Sequence, residues 1–159
     1  MKRTKAASGF TMIEVLTAVA IVGIVVALAG PDFLASMRAF RLRAAARDQV
    51  SYLRLARSSA VTESGNVGAY IDSTSQALTL FYDLNANSIL DGGDSTLLGP
   101  IPVSSDIRYR SCSFPNQTLV FRPNGSASAS GAVELGSCAD PTRSYTIEVL
   151  ASTGRVKLR

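Results

Sequence analysis

A chain of 159 residues holds one domain of ordinary size once an anchor segment is set aside. It contains no histidine, which removes Ser-His and Cys-His catalysis and the commonest zinc ligand. No recognisable nucleophile motif takes their place, so an enzyme is not expected.

The amino terminus carries the strongest signal. Lys2, Arg3 and Lys5 precede an apolar run, and between Phe10 and Ala29 the only charged side chain is Glu14. A run of that length is long enough to cross a bilayer as a helix. A carboxylate inside it is expensive in hydrocarbon, and a chain that keeps one there uses it to pair with something. Two plainer readings stand beside this one, a secretory signal peptide and a simple membrane anchor. The run is longer than an ordinary signal h-region, no A-x-A site closes it, and Glu14 would fall inside that h-region.

The stretch Gly9-Phe10-Thr11-Met12-Ile13-Glu14-Val15 resembles the amino-terminal signature of the type IV pilins and type II secretion pseudopilins. The resemblance implies that a prepilin peptidase cuts after Gly9. The new terminal residue, Phe10, is then methylated, and Glu14 guides subunit assembly. It also implies that Pro31 marks a bend in the stem helix. On this reading residues 1–9 are a leader, 10–30 a membrane segment that becomes filament core, and 31–159 a periplasmic domain. Removing the leader leaves 13 basic against 12 acidic residues, and Lys157 is then the only lysine. Net charge selects no partner, but the other twelve bases are arginines, which favour fixed bidentate contacts.

After Pro31 the sequence is helical to about residue 62. Leu42, Ala46, Gln49, Leu53, Ala56 and Ala60 recur at spacings of four and three, the stripe of an amphipathic helix laid on a domain. Arg38, Arg41, Arg43, Arg47, Arg54 and Arg57 occupy the other faces, against only Asp48. A solvated face pairing with neighbouring subunits and a surface for nucleic acid or lipid headgroups are the alternatives.

From Gly65 onward the period shortens. Strands are expected over 67–71, 77–82, 97–103, 107–110, 119–121, 132–135, 145–150 and 156–158. Pro100 and Pro102 make the third an edge strand or loop. The serine- and alanine-rich segment 126–131 reads as a mobile hairpin tip. The expected fold class is α+β: one long helix, half membrane and half amphipathic, packed on antiparallel sheet.

The carboxy-terminal pattern resembles the GspH/FimT group of that superfamily. It is carried by Phe121-Arg122-Pro123-Asn124-Gly125, Val133-Glu134-Leu135, Tyr145-Thr146-Ile147-Glu148-Val149 and Gly154-Arg155-Val156. An exported domain with an even pair of cysteines reads as holding one disulfide, Cys112 with Cys138. Two free thiols are the alternative.

Two segments are candidate binding sites. Asp83, Asn85, Asn87, Ile89, Asp91 and Asp94 fall at calcium-loop spacing. Ser88 replaces the usual glycine of such a loop, and Asp94 replaces the closing Glu. The alternatives are a bound Ca²⁺ and a polar hairpin loop closed by local hydrogen bonds, with no cofactor. At the tail, alternation puts Arg155, Lys157 and Arg159 on one face of a strand, at about 6 to 7 Å intervals suited to a phosphate chain. Gly154 and Arg155 match a Gly-Arg-x-Arg motif that, in FimT-like pilins, is implicated in binding DNA during natural transformation. Lys157 departs from it and keeps the charge without the planar fork. Arg108 and Arg110 alternate in the same way and extend the patch if their strand lies alongside. The other reading of the tail is an edge strand kept from pairing by its charge.

These features add up to an expected minor pilin of a type IV pilus, with a type II secretion pseudopilin and a DNA-binding pilin as alternatives. Its expected partners are other pilin or pseudopilin subunits, prepilin peptidase, the bacterial inner membrane, crossed once, and DNA.

Overall fold

The computed structural model describes residues 9–159, without the side chains of 29–32. Helix α1 runs Met12–Thr62. It is followed by strands β1 (Val67–Asp72), β2 (Ala77–Tyr82), β3 (Ser95–Pro102), β4 (Ile107–Cys112), β5 (Thr118–Phe121), β6 (Gly131–Ser137), β7 (Ser144–Leu150) and β8 (Arg155–Leu158). Each strand expected from sequence is present. The chain divides into two compact units, Met1–Met37 and Arg38–Arg159.

In the first unit the apolar side chains of α1 face outward on every side. Ile13, Val19, Ile21, Ile24 and Val26 are all more than 60% exposed. Such a surface is stable only against lipid or other apolar chains. Among the described residues no single helix is long and apolar enough to cross a membrane. Met12–Leu28 and Phe33–Thr62, taken as a bent pair, meet that criterion on length and composition. Pro31, to which sequence assigns the bend, lies among the residues whose side chains are not described.

The second unit is built on two antiparallel four-stranded sheets, ordered β3-β2-β1-β5 and β4-β6-β7-β8. The stripe Leu42, Ala46, Gln49, Leu53, Ala56 and Ala60 is buried as the helical period requires. It joins one core with Val67, Ile71, Leu80, Phe121, Leu135 and Ile147. Alanine at three of its six positions brings backbone close to backbone, while Leu42 and Leu53 fill the wider gaps. Gln49 looks out of place in that stripe until its partner is found. The buried Tyr109 hydroxyl on β4 donates to Gln49 Oε1 at 2.9 Å, and burial pushes the Tyr109 phenol well above its ordinary pKa. The pair ties helix to sheet and leaves neither polar group orphaned.

Two expectations are corrected. Segment 126–131 is not a free hairpin tip. Ala127 is buried and bridges Phe121, and Ser128 Oγ accepts from Val120 N–H at 3.0 Å while Ser130 Oγ accepts from Ala151 N–H at 2.8 Å. The serines supply backbone partners that apolar residues cannot. The second concerns the cysteines, which are both free. In the β4–β6 register Cys112 sits opposite Val133 and Ile107 opposite Ser137, while Cys138 N–H donates to Asp106 O. The two thiols therefore lie at opposite ends of one strand pair, about 17 Å apart at the rise of a strand. A disulfide needs Cα atoms within about 7 Å. β3 lies at a sheet edge, as its prolines require.

Gln49→Leu should leave the Tyr109 hydroxyl buried without a partner and lower the unfolding free energy by about 1–3 kcal/mol. Adding Tyr109→Phe to that variant should recover most of the loss. Denaturant unfolding of both variants checks the pair, and no recovery in the double variant would count against it.

Candidate functional site

The amino-terminal site begins where α1 begins. Thr11 caps the helix: its Oγ1 accepts from Glu14 N–H at 3.3 Å, and its carbonyl accepts from Glu14 and Val15 N–H at 3.1 and 3.2 Å. The spacing Thr-x-x-Glu is that of a capping box, and it places the Glu14 carboxylate in the first turn, where the helix dipole favours a negative charge. Sequence reasoning gave Glu14 one task and missed this second one, although the Thr11 signal was present. Gly9, Phe10 and Glu14 are all exposed, and among the described residues no cation lies within ion-pair distance of the Glu14 carboxylate. Residues 1–8, the rest of the expected leader, lie outside the described residues.

The acidic loop has a different geometry from a calcium cage. Asp83 is buried and its carboxylate accepts from Asn87 N–H and Ser88 N–H, both at 3.1 Å. Asp94 accepts from Leu84 N–H at 3.2 Å and Asp91 N–H at 3.1 Å. Asp91 accepts from Gly93 N–H at 2.8 Å and from the side-chain amides of Asn85 and Asn87 at 3.1 and 2.6 Å. Ile89 N–H donates to Asn87 Oδ1 at 2.7 Å. The asparagines thus turn nitrogen, not oxygen, toward Asp91, and each carboxylate is spent on backbone donors. Among the described residues no three acidic, His or Cys side chains are placed to share a cation. The loop of Asp83, Asn85, Asn87, Ile89, Asp91 and Asp94 is closed in this structure by its own hydrogen bonds. Ser88 sits at φ +62°, the left-handed conformation that a calcium loop gives to glycine.

β8 is the outer strand of its sheet. Val156 is buried and Arg155 and Lys157 are exposed, so the expected alternation holds. The three cations are not equivalent. Arg159 Nε pairs with Glu148 Oε2 at 3.0 Å, whereas Arg155 and Lys157 have no carboxylate within ion-pair distance among the described residues. Gly154 turns the chain into β8 at φ +58°, and a Cβ there would collide with Gly125 O and Arg57 Nε. It is therefore needed for both its conformation and its close approach. Arg108 and Arg110 do not extend the patch, because β4 is at the opposite edge of the sheet. Arg110 is a clasp instead: its guanidinium donates to the carbonyls of Pro141 at 2.6 Å and Ser137 at 2.9 Å, over the space left by Gly136.

Hydrogen bonds from Gly93, Asn87 and Asn85 hold the Asp91 carboxyl below the 3.8 of an ordinary Asp. A depressed folded value contributes stability that is present above the unfolded value and lost as pH falls through the folded one. The amide of Gly93 should therefore stay protected from exchange down to pH below 3.8. Asp91→Ala should remove that protection at neutral pH, and neither calcium nor chelator should move the melting temperature of the parent chain. A calcium-dependent rise would restore the metal reading.

Comparison with known proteins places this geometry. Residues 45–153 match the family described as type II transport protein GspH, and residues 4–30 match the prokaryotic N-terminal methylation motif. No curated protein matches the chain. Among solved structures, the minor pseudopilin EpsH from the type 2 secretion system of Vibrio cholerae is similar, with TM-score 0.58 and 13% identity over 75% of this chain and 96% of that one. The type IV minor pilin FimU of Pseudomonas aeruginosa is similar with TM-score 0.59 and 18% identity, over 74% of this chain and 87% of that one. At these identities the two structures establish the fold, an amino-terminal helix on antiparallel sheets, as sequence led us to expect. The family match covers well over half the chain, and with it goes a structural rather than enzymatic role: the chain belongs to the GspH family of pilin-like subunits.

Proposed function

We propose that the chain is a minor pilin of a type IV pilus, cut by prepilin peptidase after Gly9 and incorporated at or near the filament tip, where it supports assembly. The observation that carries this reading is the apolar stem from Met12 to Leu28, exposed on all sides and bearing one carboxylate. In the inner membrane, lipid covers the stem while the domain after it stands in the periplasm. In the filament, the stems of neighbouring subunits replace lipid. Glu14 then pairs with the new amino group at Phe10 of a neighbour, so that both charges are buried only when the subunits are in register.

The tail supports the pilus over the secretion system, and it carries a second reading, DNA capture. Arg155 and Lys157 stand on an edge strand with no carboxylate in ion-pair distance among the described residues, beside a glycine that the local geometry requires.

Glu14→Val should leave the protein in the membrane fraction and remove it from sheared filaments. Deleting the gene should reduce surface pili and leave protein secretion intact; the reverse outcome assigns the chain to the secretion system. For the second reading, the full chain in detergent should bind DNA with an affinity that falls steeply with salt. Arg155→Gln with Lys157→Gln should flatten that slope by about 1.4–1.8, the value for two lost phosphate contacts. No binding at low salt would end the DNA reading and leave the pilin one untouched.

A further inference from the structure

We propose that one flank of α1, bearing Arg43, Arg47, Arg54 and Arg57, is a second line of contact for a nucleic-acid phosphate backbone that passes over the β8 edge. The inference rests on the DNA reading of the tail and adds residues which that reading does not contain.

The four arginines are spaced i, i+4, i+11 and i+14, which puts them on one side of the helix over a length of about 21 Å. That side lies next to β8. A groove of about 510 Å³ is lined by Arg54 and Arg57 from the helix and by Thr153, Gly154, Arg155 and Val156 from the turn into the strand. Because Val156 is buried and Arg155 exposed, Arg155 meets Arg54 and Arg57 around the sheet edge, and Arg43 and Arg47 continue that line along the helix.

Arg57 is held in place before any ligand arrives. Its Nε donates to Gly125 O at 3.0 Å, and the missing Cβ of Gly154 is what lets Gly125 and Arg57 approach. One donor is spent in this way, and the terminal amino groups remain available for a planar, bidentate anion. The band has no internal neutralisation. Arg41, Arg110, Arg143 and Arg159 have carboxylates within 4 Å, while Arg43, Arg47, Arg54, Arg57, Arg155 and Lys157 have none among the described residues. Leaving cations unpaired along one line, three of them around a common groove, costs stability through repulsion unless an anion comes to them.

The chemistry of the flank selects a phosphate chain over a protein surface. Of the apolar residues on it from Arg43 to Val61, Ala46 and Val50 are buried and only Val61, one turn beyond Arg57, is half exposed. Protein interfaces close on an apolar core, whereas nucleic-acid interfaces are polar and strongly positive.

The test uses the full chain in detergent micelles, labelled single-stranded and duplex DNA, and a salt series. Arg43→Gln with Arg47→Gln should flatten the slope of log affinity against log salt by about 1.4–1.8. A control with the same loss of charge elsewhere, Arg38→Gln with Arg108→Gln, should leave the slope in place. If the helix variant behaves like the control while Arg155→Gln with Lys157→Gln still flattens the slope, the helix line is wrong and the tail reading survives. If the parent chain does not bind DNA at low salt, both fail. Binding to polyglutamate or to anionic vesicles as tight as to DNA at equal salt would overturn the phosphate-chain assignment.

Discussion

The structure depends on a surface that it cannot bury by itself. From Val15 to Leu28 the helix carries no charge and exposes apolar side chains on every side, and at about 25 cal/mol per Å² such a stem in water would cost more than a small domain's whole stability. The free energy that holds the protein in its working place therefore comes from outside the chain. Lipid and neighbouring stems are interchangeable as apolar cover, and this is what allows a subunit to move from membrane to filament. In the proposed assembly step Glu14 breaks that equivalence, since hydrocarbon offers its carboxylate nothing and a neighbour's amino terminus would offer a counter-charge. Thr11, by fixing the first turn, fixes where that carboxylate is presented.

The domain after the stem solves an ordinary problem with few large residues. Three alanines of the helix stripe are fully buried, so the sheets close tightly on the helix and leucines fill what remains. Its polar economy is just as close. Gln49 and Tyr109 satisfy each other, Arg110 clasps the loop after β6, and the acidic loop closes on its own donors. These arrangements leave the arginines beside β8 among the domain's unpaired charges, and the proposed nucleic-acid contact is drawn from them.

Much of this was legible in the sequence, and the failures share a cause. The stem follows from an unbroken apolar run, and the stripe and all eight strands from periodicities of 3.6 and 2; all of these are local. The disulfide failed because pairing depends on register: two cysteines suggest a bridge, but only the β4–β6 alignment shows them at opposite ends. The acidic loop kept two readings because spacing of Asp and Asn does not tell whether the amide turns oxygen or nitrogen inward. Arg108 and Arg110 failed because strand order within a sheet is not a local property. The same limit hid the helix arginines, whose common flank was countable in sequence but whose neighbour, β8, was not.

The account stands or falls on what happens at Gly9, and mass spectrometry of the amino terminus of chains recovered from sheared filaments tests it most directly. The expected result is a terminal peptide beginning at Phe10 and carrying one added methyl group. An intact Met1, or a terminus beyond the apolar run, would contradict it.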